Sequence, residues 1–310
     1  MIKIFRSFGG YVELPQAEKG CWINVTNPTP DEITALRDQY NMPDDIIKDI
    51  LDQDERPRLE NDDDWSLVIL RIPIENQNNG VPFHTVPLGV FMTQDVTITL
   101  CSVQNEVLPS HQPSLYREPY QQVNDELNFI LKLFLRSATT YLRYLKYINQ
   151  QTSLIETDLE KSIRNKELTK LLKMEKCLVF FITSLRSNEI VLTKLRNSRR
   201  NTLTEINEDL LEDAVIENKQ AIDMAQIYSD IQSGMMDAFA SVISNNLNVV
   251  MKQLTSISII LMIPTLIASL YGMNVPNFME NSAWAFPAIL FFSGLMAYIG
   301  IVMFRKRKWF

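Results

Sequence analysis

The aspartates between Glu205 and Asp237 number five, Asp209, Asp213, Asp223, Asp230 and Asp237, and all lie on one seam that advances alternately by three and four residues. Ile216, Gln220, Ile227 and Gly234 fill its remaining positions. Such a seam holds two of every seven positions, so chance puts five acids on a given one roughly once in five hundred, and on any one at all roughly once in seventy. The four glutamates of the window, Glu205, Glu208, Glu212 and Glu217, lie off it. Carboxylates repeated along one helix face attract cations. Buried in a dry coiled-coil core, the same groups would be strongly destabilising. The chemistry on offer is cation gathering along a wet axis.

The stepping continues past Asp237 through Ser241, Ser244, Asn248, Met251, Thr255, Ser258, Met262, Thr265 and Ser269. Its upper part lies in an apolar stretch, where polar groups facing lipid are expensive. Hydroxyls also serve as packing contacts between membrane helices, so this stripe alone reads equally as a packing seam. The aspartates below it favour water. One helix cannot enclose a path, so the pattern calls for several copies around an axis and suggests an oligomeric cation pathway.

The elements that must position this seam are a long helix and a membrane. No charged residue stands between Lys252 and Glu280, and none between Glu280 and Arg305. Each gap exceeds the ~20 residues that cross a hydrocarbon core as a helix. From near Thr204 the chain has no proline until Pro264. One helix from there to Leu270 would measure about 100 Å. Lys252 precedes the first span, Arg305, Lys306, Arg307 and Lys308 follow the second, and the connecting "GMNVPNFMEN" has no positive charge. The positive-inside rule then puts both termini in the cytoplasm of a multi-pass protein of the cell (plasma or inner) membrane. Trp284, and Trp309 with Phe310, suit the two water interfaces.

Upstream, "IKIFR" (Ile2–Arg6), "CWINV" (Cys21–Val25), "WSLVILRIPI" (Trp65–Ile74), "TVPLGVFMT" (Thr85–Thr93) and "DVTITLCS" (Asp95–Ser102) read as strands, with a hairpin turn at Asn78-Asn79-Gly80. "TPDEITALRDQY" reads as a helix capped by Thr29, with Pro30 in its first turn. The "DDD" of Asp62–Asp64 reads as a turn before a strand. From Glu118 on, helix dominates, with breaks expected near Arg164–Asn165 and Asn197–Asn201. The expected fold is an α/β cytoplasmic domain (1–117), a helical region (118–203), a stalk helix (204–252), a first span (253–271), an external loop (272–283), a second span (284–304) and a basic tail (305–310).

Other chemistries have little to stand on. Met1–Tyr11 is too short and interrupted for a signal peptide. Cys21, Cys101 and Cys177 include no CxxC pair, and His84 and His111 are the only histidines. No GxxxxGK[ST] loop is present, so no ATP is expected, nor any cofactor or enzymatic activity. Net charge is −7 although "RKRK" adds four positive charges, so the rest carries −11. Such a body argues against nucleic acid and suits cations.

"YGMN" at Tyr271–Asn274, at the outer end of the first span and followed by a loop, a second span and a basic tail, resembles the signature of the CorA family of divalent-cation channels. "DILDQDERPRLE" (Asp49–Glu60) also looks like that family's stretch leading into a central strand. The resemblance implies a homopentameric funnel with the long helix lining the axis and the second span on the lipid side. It implies Mg²⁺ as the transported and regulatory ion, with Co²⁺ and Ni²⁺ as surrogates. Matching pore positions are Asn248, Met251, Leu254, Met262, Thr265 and Asn274; Leu254 is one position off the seam, so either it or Thr255 faces the axis.

The resemblance further places selectivity at Gly272, Met273 and Asn274. Neutral amides at Asn274 could hydrogen-bond a hydrated ion without trapping it. Gly272 would supply a left-handed or close-packed helix end. Glu280 matches an acid that gathers cations at the mouth, and reads equally as a solvated loop acid. Asp49 and Asp213 match acids that bind Mg²⁺ between subunits and hold the pore closed, with Met251, Leu254 and Met262 as its apolar constriction. Two rival readings stay open: a zinc transporter of the same architecture, and a membrane-anchored coiled-coil scaffold without flux.

Overall fold

The computed structural model describes residues 1–8, 12–76, 80–109, 125–161, 165–198, 207–273 and 284–307, without the side chains of 160, 161 and 198. Two compact units divide the chain, Met1–Gly234 and Met235–Phe310.

The first unit is built on a six-stranded sheet. Its strands are β1 (Ile2–Phe5), β2 (Cys21–Thr26), β3 (Arg58–Asn61), β4 (Trp65–Glu75), β5 (Phe83–Thr93) and β6 (Val96–Cys101), in the order β1-β2-β6-β5-β4-β3. Only β2 and β6 pair in parallel. Both faces are covered, which is why β4 reads as a nearly unbroken apolar run. Its alternate residues divide between two cores. Leu67 and Ile69 join Ile23, Phe91 and Ile98 beneath α1 (Pro30–Tyr40) and α2 (Asp44–Leu51). Val68, Leu70 and Ile72 join Phe129, Leu133 and Val191 from α3 (Glu126–Lys161) and α4 (Asn165–Ser198). These helices thus form one layer of the same unit as the sheet, rather than a region apart from it.

Local chemistry fixes the edges of this sandwich. Thr29 and Glu32 form a reciprocal capping box at the start of α1, with Pro30 in the first turn. Glu32 also accepts from the Ile2 N–H at 2.9 Å, tying α1 to β1. β5 carries Gly89 where α2 crosses it, and a Cβ there would stand 2.3 Å from Ile50 Cδ1. Asp62 N–H donates to the Trp65 carbonyl at 2.8 Å, so "DDD" turns between β3 and β4. Consecutive β4 and β5 run antiparallel through Glu75↔Phe83, and the chain between them includes Asn78-Asn79-Gly80. Asn78 and Asn79 themselves lie outside the described residues.

β3 begins at Arg58, opposite Ile69, and leaves the outer edge of β4 uncovered by a strand from Leu70 onward. Asn188 of α4 takes the place of the missing strand. Its side chain accepts from the Arg71 N–H at 2.9 Å and donates to the Arg71 carbonyl at 2.8 Å. Beyond the sheet, Tyr141, Leu145, Phe181 and Leu185 pack with Ala221 and Ala225 of α5 (Glu208–Tyr271). Asn218 and Gln232 of α5 are buried, and donate to the carbonyls of Leu185 and Leu171.

In the second unit α5 continues to Tyr271, and α6 (Ala285–Lys306) follows. Both helices are long and apolar enough to cross a membrane. Their large apolar side chains are widely exposed in the single chain, as with Leu261 at 65% and Phe291 at 74%. Exposed apolar surface on that scale marks contact with lipid or with further protein.

Candidate functional site

In each unit the seam occupies the face of α5 opposite its intrachain contacts. Within the first unit α5 buries Leu211, Ala214, Asn218, Ala221, Ile222 and Ala225. At 3.6 residues per turn, this buried stripe is centred about 180° from the seam. Asp209, Asp213, Ile216, Gln220, Asp223, Ile227 and Asp230 are all exposed.

The same opposition recurs in the second unit. Ser256 is fully buried, and Ile260, Ile263, Pro264, Ile267 and Tyr271 are partly withdrawn on the same side. A Cβ on Gly300 of α6 would meet Ile260 Cγ1 at 3.5 Å, which identifies this face as the one α6 covers. Thr255, Ser258, Met262, Thr265 and Ser269 are exposed, again about 180° away. Asp237, Ser241, Ser244, Asn248 and Met251 are exposed as well. Leu254 and Thr255 flank the centre line of the upper seam by about 50° on either side. Both therefore border it.

The seam hydroxyls have a definite polarity. Thr255 Oγ1 donates to the Met251 carbonyl at 2.8 Å, Ser258 Oγ to Leu254 at 2.9 Å and Thr265 Oγ1 to Leu261 at 2.8 Å. Each of these three hydroxyl protons is thereby used inside its own helix, which leaves oxygen lone pairs outward. The buried Ser256, off the seam, donates within the helix in the same way. Acceptors of this kind suit the O–H groups on a hydrated cation.

At the end of α5, Gly272 N–H donates to the Ala268 carbonyl at 2.9 Å. Gly272 is not left-handed; Gly20 is the glycine with positive φ among those described. A Cβ on Gly272 would lie 3.3 Å from the Ala268 carbonyl oxygen, a contact only slightly tighter than usual. Met273 is exposed, while Asn274 and Glu280 lie outside the described residues. Arg305 and Lys306 occupy the last turn of α6, where cations complement the helix dipole, and Arg307 caps it. Lys308 lies outside the described residues.

The two expected regulatory acids stand in different settings. Asp213 is exposed on the seam. Asp49, in the last turn of α2, accepts from Arg58 Nη2 at 2.6 Å. Arg58 also donates from Nε to Glu60 at 2.5 Å and from Nη1 to Glu55. Partial burial works against the Arg58 charge, but the bonds to Asp49 and Glu60 outweigh it and raise its pKa. Among the described residues, no group of three or more His, Cys, Asp or Glu within one chain is arranged to hold a metal ion. The Arg58 cluster escapes a reading of the sequence, although Glu55 and Arg58 stand three apart in "ERPR".

A family model described as CorA-like Mg²⁺ transporter protein matches residues 17–306. The chain belongs to the CorA family. The family is one of transporters. The cobalt/magnesium transport protein CorA of Methanocaldococcus jannaschii is 25% identical over 291 residues, covering 93% of this chain and 90% of that protein. The protein of the same name from Thermotoga maritima is 23% identical over 291 residues, covering 93% and 83%. The complete structure of the CorA magnesium transporter from M. jannaschii matches with a TM-score of 0.80 at 22% identity, over 100% of this chain and 99% of that one. The α/β domain, the long helix and the two C-terminal apolar helices are thus the CorA fold.

Proposed function

We propose that the protein is a channel for divalent cations, admitting Mg²⁺ as its main substrate and Co²⁺ and Ni²⁺ as surrogates. Five copies surround an axis lined by the α5 seam, from Asp209 through Asp237 and Asn248 to Ser269. The carrying observation is that acids and hydroxyls occupy the α5 face that its own chain leaves uncovered, the acids in the first unit and mostly hydroxyls in the second. A lipid-facing helix has no use for such a row, and a packing seam has no use for its aspartates.

The ion enters past Glu280 and the Asn274 ring, whose neutral amides hold its water shell without stripping it. Met251, Leu254 and Met262 form the apolar constriction that closes by dewetting. Inward movement needs no nucleotide, because a divalent ion falling through 100 mV gains roughly 4.6 kcal/mol. Both termini are cytoplasmic, with Arg305, Lys306, Arg307 and Lys308 anchoring the second span at the inner surface. Regulation follows from repulsion. Mg²⁺ between Asp49 and Asp213 of neighbouring copies holds the pore closed, and its loss lets the acids push the copies apart.

Reconstituted liposomes with an inside-negative potential test this reading through Mg²⁺ entry into wild type and Asn274→Ala. Wild-type flux that the substitution abolishes or renders unselective is expected. A correctly assembled oligomer that passes none of Mg²⁺, Co²⁺ or Zn²⁺ at low internal Mg²⁺ would sink the channel and leave a scaffold. Faster Zn²⁺ than Mg²⁺ entry would reassign the ion.

A further inference from the structure

We propose that Arg58 is a built-in competitor for the regulatory cation: its guanidinium occupies the Asp49 carboxylate and so sets the Mg²⁺ concentration at which the site fills. The inference rests on the reading of Asp49 as a regulatory ligand given above.

Three different nitrogens of Arg58 reach three different carboxylates, Nη2 to Asp49, Nη1 to Glu55 and Nε to Glu60. The Arg58 guanidinium thus faces three carboxylates, and Arg71 is the second cation close to one of them, Glu55. The Arg58 side chain is 22% exposed, whereas Asp49 is 43% exposed. The cation is held inward and the carboxylate it binds remains open to solvent. An incoming divalent ion therefore meets an acid already paired, and must pull it away from a charge-assisted hydrogen bond before coordinating it.

The guanidinium is also anchored against leaving. Arg58 opens β3 and pairs with Ile69 of β4. Its partner Glu55 precedes it in the same loop and is 22% exposed. The Glu55 carbonyl in turn accepts from Arg71 Nη1 at 2.8 Å. Release of Asp49 thus leaves Arg58 with Glu55 and Glu60, so the exchange of partners is local and reversible. Asp49 switches between an internal cation and an external one.

Full-length protein in detergent micelles tests this when titrated with Mg²⁺ and followed by its thermal unfolding midpoint, since an ion bound to the folded state raises that midpoint. Arg58→Gln is expected to lower the half-effect Mg²⁺ concentration roughly three- to tenfold, the scale of one nearby charge on a divalent ion in a solvated site. Arg58→Lys keeps the charge and stays closer to wild type. An unchanged or higher half-effect concentration in Arg58→Gln, with Asp49→Asn shifting it strongly, overturns the competitor role alone. An unchanged titration in Asp49→Asn overturns the regulatory reading of Asp49 and this inference with it. Should Arg58→Gln fail to assemble on size-exclusion chromatography, Glu60→Gln decides. It frees Arg58 for Asp49 and is expected to raise the half-effect concentration; no rise overturns the proposal.

Discussion

Asn188 binds both backbone polar groups of Arg71, accepting its N–H at 2.9 Å and donating to its carbonyl at 2.8 Å. An α4 side chain therefore completes a strand edge that β3 is too short to cover. Asn188 is 1% exposed, and Asn188→Ala would leave the Arg71 N–H without its partner, while Tyr141 Oη still donates to the Arg71 carbonyl at 3.1 Å. A loss of about 1–3 kcal/mol is expected, readable by chemical denaturation. A loss under half a kilocalorie would mean that water replaces the amide.

A second prediction concerns the seat of α2. Gly89→Ala drives a methyl group into Ile50, which is fully buried and adjacent to Asp49. Overpacking of this kind costs about 1–3 kcal/mol. Under the proposed regulation through Asp49 on α2, the same variant is expected to weaken the Mg²⁺-induced rise in the unfolding midpoint.

Glu126 gives stability a pH dependence of unusual sign. Burial raises its pKa above the ordinary 4.5, against the hydrogen bond that Thr97 Oγ1 donates to it at 3.0 Å. A carboxyl that holds its proton more tightly when folded makes stability fall as pH rises from the ordinary value to the raised one. Glu126→Gln removes this loss. The variant should melt higher than wild type at neutral pH, with the advantage shrinking below pH 4.5; equal midpoints at both ends would refute the assignment.

The pathway hydroxyls can be separated from mere bulk. Thr265→Val keeps the shape and deletes the outward oxygen, while Thr265→Ser keeps the oxygen. Under the proposed function, Mg²⁺ flux drops about three- to tenfold in the first and stays within about twofold in the second. Equal flux in both variants would remove Thr265 from the ion's path.

What the sequence reveals depends on the range of the interaction. The Thr29–Glu32 cap is local, so its signal sits within four residues. The seam is legible because a period of 3.5 is written in residue order, and the aspartates mark its face. β3 is not, since Arg58, Glu60 and Asn61 carry no strand pattern and the segment is a strand only because β4 pairs with it. Asn188 is equally silent, being one amide among many until the fold brings it to Arg71, 117 positions away. The left-handed alternative for Gly272 fails for a related reason. A glycine ending a helix can signal backbone twist or close packing, and only the backbone of the folded chain, which has no positive φ at Gly272, removes the first.

The inward-bonded hydroxyls of Thr255, Ser258 and Thr265 bear on biogenesis. A polar side chain entering hydrocarbon with an unsatisfied donor resists insertion by several kcal/mol. These donors are satisfied by their own helix before any neighbour arrives. A single chain can therefore enter the bilayer with these three donors already bonded. Under the proposed function, these groups of the path then need no neighbouring copy to satisfy them before assembly.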